Sequence, residues 1–189
     1  MSKFFAFISR MKFINRWALM RNTSYESLVC HSHEVAVIAH ALCIIGNRRF
    51  GKNYDADKAA VIALYHDASE IITGDMPTPI KYFNKELKIA YKDVENKANQ
   101  KLINMLPDDL KGDYIDILFY DENYIKIIKS ADKLSALIKC EEELKMGNSE
   151  FKKAKETTEK AIKKLNCEEA NVFIEEFFPY YSLTLDELN

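Results

Sequence analysis

Glycine and proline are scarce in this chain, at 5 and 4 among 189 residues. An all-β fold with its many tight turns is therefore a poor fit. Cysteine is as sparse. Cys30, Cys43, Cys140 and Cys167 stand far apart with no Cys-x-x-Cys pair, so a disulfide framework is not expected and a reducing cytoplasm fits better. Charge of one sign is also missing. A net charge of −2 advertises no basic face, which argues against a nucleic acid polymer as partner but leaves room for a small anion. No stretch approaches 18 consecutive apolar residues, so no membrane span is expected. The opening MSKFFAFISRMKFINRW is broken by Arg10 and Lys12 and followed by no small-residue cleavage site, unlike a signal peptide.

What is present is helical periodicity. The spacing of Phe4, Phe5, Ile8 and Met11 predicts a first helix, and His31 to Ile45 a second with Val35, Ile38 and Leu42 on one face. Asp57 to Ile72 is apolar nearly all round, so it is expected to be central and buried. Lys85 to Leu106, Asn123 to Met146, Glu150 to Leu165 and Glu168 to Phe178 complete the set, with Gly147-Asn148 as a plausible C-cap. The charge run from Lys155 to Lys164 reads as a solvated helix face. With 48% hydrophobic residues, the length suits one all-α domain with a substantial core. Thr73 to Pro79 holds two prolines and a glycine, which forbid a regular helix there.

Three ligand-type fragments interrupt this apolar pattern: His31, the pair His66-Asp67, and Asp132. Glu70 lies four residues after His66, one helical turn along the same side. A lone histidine in an apolar helix is usually structural. Three ionisable groups within five positions are different, because burying them unpaired costs several kcal/mol. A divalent cation is the simplest compensation. Asp132, with Ile128 and Ala136 on its face, poses the same problem, although an ion pair to Lys129 or Lys133 would also answer it. His31 and His33 are nearly indistinguishable as ligands, and His40 reads as structural. Four His and carboxylate ligands can hold one ion and leave positions for water and phosphate.

Several segments together carry a resemblance. They are ISRMKFINRWALMRN, HSHEVAVIAHAL, ALYHDASEIITGDMPTPIKYFN, KSADKLSALIKCEEEL and SLTLDEL. The chain resembles the HD-domain metal-dependent phosphohydrolases and, more narrowly, the bacterial 5′-deoxynucleotidases of the YfbR type. The resemblance implies a single HD domain over residues 1–189, a helical bundle that is commonly a homodimer and acts on deoxyribonucleoside 5′-monophosphates. It implies one divalent ion, such as Co²⁺, Mn²⁺ or Zn²⁺, held by His31, His66, Asp67 and Asp132. Glu70, Arg16 and Asp67 match catalytic positions. Substrate would meet Arg16, Trp17, His31, Asp67, Asp132 and the loop of Asp75, Met76, Pro77 and Thr78. Read from composition alone, Arg16 would be a surface ion pair and Trp17, the single tryptophan, a core residue. Cys30 departs from the family, which often has an acidic residue before the first ligand histidine; such carboxylates help orient imidazoles.

Other readings stay open. Another HD phosphohydrolase, such as a phosphodiesterase or an alarmone hydrolase, would share the ligand set. The short length and lack of appended regulatory segments are expected to disfavour it. A non-catalytic helical module that binds nucleotides through a degenerate site is also open, but every expected ligand and Glu70 are present, so no degeneration is visible; a helical dimer scaffold leaves the buried-type ionisable residues unexplained.

Overall fold

The computed structural model describes residues 1–189 except Tyr82, and gives Thr78 and Pro79 by their backbone only. Among the described residues, ten α-helices follow in chain order. They are α1 (Phe4–Ile8), α2 (Leu28–Arg49), α3 (Ala56–Tyr65), α4 (Glu70–Thr73), α5 (Thr78–Lys81), α6 (Lys85–Ile103), α7 (Asp108–Leu118), α8 (Glu122–Lys145), α9 (Lys152–Leu165) and α10 (Glu168–Glu176). Short 3₁₀ turns extend α1 and precede α9. Among the described residues the strand-like pairing is an isolated bridge, Asn15 to Ser27.

Side-chain caps set the starts of the long helices. Ser27 accepts from the Cys30 amide, Asp55 from Lys58, Asn84 from Leu87 and Asp121 from Asn123, each satisfying an amide that the first turn cannot. The predicted stop after α8 is present. Gly147 has φ +82, and Gly147 and Asn148 donate to the carbonyls of Leu144 and Glu143, a pairing that needs a left-handed residue at that point.

The main core joins α2, α3, α8, α9 and α10 through Val35, Ile38, Leu42, Ile62, Leu134, Ile162 and Phe173. Each large aliphatic side chain buried there stabilises by about 1.5–3 kcal/mol. Helix α2 is long and apolar enough to cross a membrane by composition, yet it is the central helix of this core, packed by α3, α8 and α10. A second cluster gathers Phe4, Ala68, Leu102, Ile103, Leu106 and Leu118, with Tyr65 and Tyr114 against it.

Two expectations from periodicity need correction. The helix expected over Asp57 to Ile72 is split: α3 ends at Tyr65 and α4 begins at Glu70. Between them Ala68 and Glu70 donate three residues back, to Tyr65 and Asp67. No proline or glycine breaks the helix here. The turn is held by Ala68, fully buried in the second cluster. Nor is α3 buried all round, since Val61 and Leu64 are exposed. Helix α7, unmarked by any strong apolar stripe, and the one-turn α5 were not anticipated; a proline is tolerated in a first turn, where its missing N–H costs nothing.

A buried ion pair ties the loop before α2 to α8. Lys139 Nζ donates to Glu143 Oε1 at 2.5 Å and to Ser24 O at 2.7 Å. Glu143 also accepts from the Thr23 amide and hydroxyl and from Asn148 Nδ2. Burial alone would raise the Glu143 carboxyl, but Lys139, Asn148 and Thr23 outweigh it and hold it well below the usual 4.5. Removing one member of such a pair strands the other charge. Glu143→Ala should lower the unfolding free energy near neutral pH by about 3–5 kcal/mol, read from the urea midpoint. A depressed carboxyl contributes stability above its unfolded value and loses it as pH falls through its folded value, so wild type and variant should converge in strong acid. An unmoved midpoint at neutral pH would refute the clamp.

Candidate metal and anion site

The ligand-type residues converge from α2, α8 and the turn between α3 and α4, and Arg16 joins them from the loop before α2. His31 lies one turn inside α2 and is fully buried, whereas His33 is exposed. That separates two histidines the sequence left equivalent. His40 is half exposed, 3.6 Å from Asp57, a surface pair and not a core residue. His66 and Asp67 sit on the turn between α3 and α4, so their directions are set by that turn and not by a continuous helix. Asp132 comes from α8. Its Oδ1 is 3.3 Å from His31 Nε2, and its Oδ2 accepts from Lys133 at 2.8 Å.

The geometry centres on Asp67 Oδ2. His66 Nε2 lies 3.1 Å away, Arg16 NH1 3.6 Å and His31 Nε2 3.7 Å. Ligand atoms of His31, His66 and Asp67 all fall within 4.8 Å of one another, a spacing that could hold one metal ion. The hydrogen bonds support that fit. His66 Nδ1 faces the Ala63 carbonyl at 2.7 Å, so it must donate, and a neutral ring then keeps its lone pair on Nε2. Neither His31 Nε2 nor His66 Nε2 makes a hydrogen bond of acceptable angle, although both are buried. Lone pairs turned toward carboxylate oxygens repel, and each buried, unpaired nitrogen costs about 1–3 kcal/mol. A cation between them removes both costs.

Charge agrees. Burial would lower the Arg16 guanidinium, but Asp132, Asp67 and Glu26 raise it. Burial would lift Asp67 and Asp132, yet His66 holds the first below its ordinary value, and Lys133 and His31 hold the second there. Burial would lower His66, but Asp67 outweighs it and raises the ring, whereas burial and Arg16 lower His31. A proton and a divalent ion compete for such a nitrogen, so metal affinity here should rise with pH. Glu70 is buried, and burial, Asp67 and Asp75 push its carboxyl up to about 9. Asp75 is raised by burial, against the pull of Arg16, which puts it within electrostatic reach of the same centre. Met76 and Pro77 are half-buried on the loop that continues from it. The side chain of Thr78 lies outside the described residues.

Arg16 and Trp17 share one anchor that sequence reasoning missed. Glu26 Oε2 accepts from Arg16 Nε at 3.1 Å and from Trp17 Nε1 at 2.9 Å. With Nε occupied, the outer guanidinium nitrogens face Asp67 and Asp132. Trp17 has φ +58, a strained conformation for a bulky residue. It is held by Met20 and Asn22, which donate to its carbonyl, and by Phe151, 5.3 Å from its ring. Nothing in the local sequence marks Glu26, because its partners are ten and nine residues away. Tyr120 was missed for the same reason; burial, Asp67 and Asp132 push its phenol up to about 12.

The family model described as 5′-deoxynucleotidase YfbR-like matches residues 3–181. A 5′-deoxynucleotidase of Yersinia pestis (strain Pestoides F) is 49% identical over 192 residues, covering 100% of this chain and 98% of the relative. One from Yersinia pseudotuberculosis serotype O:3 (strain YPIII) matches to the same extent. Among solved structures, an HD-domain phosphohydrolase from Listeria innocua superposes with a TM-score of 0.82 at 23% identity, covering 95% of this chain and 88% of that one. A cyanophage S-2L HD phosphohydrolase bound to dA and one catalytic Zn²⁺ ion gives 0.67 at 16% identity, covering 95% and 96%. These structures establish the shared all-helical fold.

Glu26→Ala should free both donors at once. The emission of the single tryptophan should then move to the red as the indole gains solvent; an unchanged spectrum would remove Glu26 as its anchor.

Proposed function

The chain belongs to the YfbR-like 5′-deoxynucleotidase family, and on that premise we propose that it is a metal-dependent 5′-deoxynucleotidase, releasing phosphate from deoxyribonucleoside 5′-monophosphates. The observation that carries the reading is the pair of buried imidazole nitrogens turned, without hydrogen bonds, toward Asp67 beside a buried arginine. His31, His66, Asp67 and Asp132 would hold one divalent ion. When bound, that ion supplies a Lewis acid for a phosphate oxygen and acidifies a water.

The remaining work falls to the chain itself. The outer nitrogens of Arg16 donate to phosphate oxygens, with Nε kept by Glu26 so that the fork is aimed before substrate arrives. Glu70 takes a proton from the attacking water as its oxygen closes on phosphorus, and the P–O5′ bond breaks as the departing 5′-oxygen takes up a proton in turn, from Glu70 or solvent, to leave as the 5′-hydroxyl. Glu70 accepts that proton only in its ionised form, which burial, Asp67 and Asp75 disfavour in the metal-free site and a nearby divalent cation would favour. Trp17 stands as a wall at C2′ of the sugar, where an added hydroxyl clashes sterically; a roomy apolar pocket would discriminate weakly. Asp75 accepts from the 3′-hydroxyl, and Met76, Pro77 and Thr78 form the rim. A single domain over 1–189, a homodimer and a cytoplasmic location belong to the same reading, supported by the family and by four free cysteines. The ion could be Co²⁺, Mn²⁺ or Zn²⁺, since one His and carboxylate set accepts each.

Metal-stripped protein should release no phosphate, and adding back Mn²⁺, Co²⁺ or Zn²⁺ should restore release from dAMP but not from AMP or 3′-dAMP. Silence with every ion from folded protein would sink the reading, and equal release from AMP would remove the sugar selection. Glu70→Gln should keep metal affinity while turnover falls by about 100-fold or more; near-normal turnover would exclude Glu70 as the proton acceptor.

A further inference from the structure

We infer that Ser135 and Glu34 form a relay that fixes the tautomer of His31 and so aims its Nε2 lone pair into the site. The inference rests on the metal-site reading above only for its consequence; the proton placement stands on hydrogen-bond geometry.

His31 Nδ1 lies 3.0 Å from Ser135 Oγ, a fully buried contact between α2 and α8. Ser135 Oγ in turn lies 2.5 Å from Glu34 Oε2. An ionised carboxylate can only accept, and a hydroxyl has one hydrogen. Ser135 must therefore spend its hydrogen on Glu34 and turn a lone pair to His31. Nδ1 then has to carry the ring hydrogen, which leaves Nε2 bare. Glu26 Oε1, 4.0 Å from the same Nδ1, favours a hydrogen there too. The outcome matches His66, where the Ala63 carbonyl imposes the same tautomer. Two imidazoles from different elements thus reach Asp67 with the same nitrogen bare.

The relay also answers the departure at Cys30. That side chain is exposed, and its Sγ accepts from the hydroxyl of Ser27 at 3.2 Å. It does not orient His31. The acidic partner comes instead from Glu34, one turn further along α2, reached through a serine of α8. Burial pushes Glu34 up to about 7, so the carboxylate is the prevailing form only on the alkaline side of neutrality. Glu26, Glu142, Arg16 and Tyr181 are within electrostatic reach of it, and Tyr25, Cys30, His33 and Lys139 line one cavity with it. Ser135 and Glu34 are positioning residues, since they act through His31.

The test is long-range ¹H–¹⁵N NMR of the histidine rings in metal-stripped protein at about pH 8.5, above the Glu34 value. Wild type should show His31 protonated at Nδ1 alone. Ser135→Ala and Glu34→Ala should give mixed tautomers, with Zn²⁺ affinity lowered by about 10- to 100-fold in a chelator competition. Ser135→Thr, which restores the hydroxyl, should recover both, and it separates a lost hydroxyl from a damaged core. A wild-type ring protonated at Nε2, or an Ala variant with unchanged tautomer and affinity, overturns the relay. Phosphate release distinguishes the two readings. A correct tautomer in a protein that hydrolyses no nucleotide leaves the relay standing and fells the proposed function; active wild type with an unaffected Ser135→Ala does the reverse.

Discussion

Three groups approach one carboxylate oxygen, Asp67 Oδ2: two imidazole nitrogens and a guanidinium, at 3.1 to 3.7 Å. In a solvated setting such a cluster would relax by taking up water. Here desolvation raises the stakes, because an unpaired polar group in a low-dielectric interior loses its hydration without replacement. The architecture around the cluster follows from keeping these groups converged. Helix α2 brings His31, the α3–α4 turn brings His66 and Asp67, α8 brings Asp132, and the loop before α2 brings Arg16.

That loop carries Arg16 and Trp17, and it lies outside the long helices. Acidic residues hold it, Glu26, Glu143 and Glu150 among them, the last accepting from the Arg21 amide at 3.2 Å. Glu26 gathers Arg16 and Trp17 from inside the loop, while Glu143 receives Thr23 from the side of α8. The positive φ of Trp17 is tolerated because both ends of the loop are pinned. Strain of this kind persists only where the surroundings over-determine the conformation. The site thus depends on buried polar networks as much as on the apolar core, and a network of that kind specifies one geometry only if each member is satisfied.

The turn between α3 and α4 shows how a distant apolar contact shapes polar chemistry. Ala68 is buried in one cluster with Phe4, Leu102 and Leu106, and α3 ends at Tyr65 although the local sequence favours continued helix. His66 then gives its Nδ1 to the Ala63 carbonyl and turns the other nitrogen inward.

The amino-acid sequence by itself determined that the chain is helical, where most helices lie, and which residue types, His31, His66, Asp67, Glu70 and Asp132, interrupt an apolar pattern without local compensation. Those are consequences of periodicity and of the cost of burying charge, and both act over a few residues. It did not separate His31 from His33, and it ran one helix through the turn that makes the site. It gave no sign of Glu26, Glu34 or Ser135. Those matters were decided by tertiary contacts: Ala68 against Phe4, Ser135 across to His31, Glu26 to Arg16 and Trp17. Hydrogen-bond direction depends on what stands opposite a donor, and what stands opposite comes from residues 10 or 104 positions away.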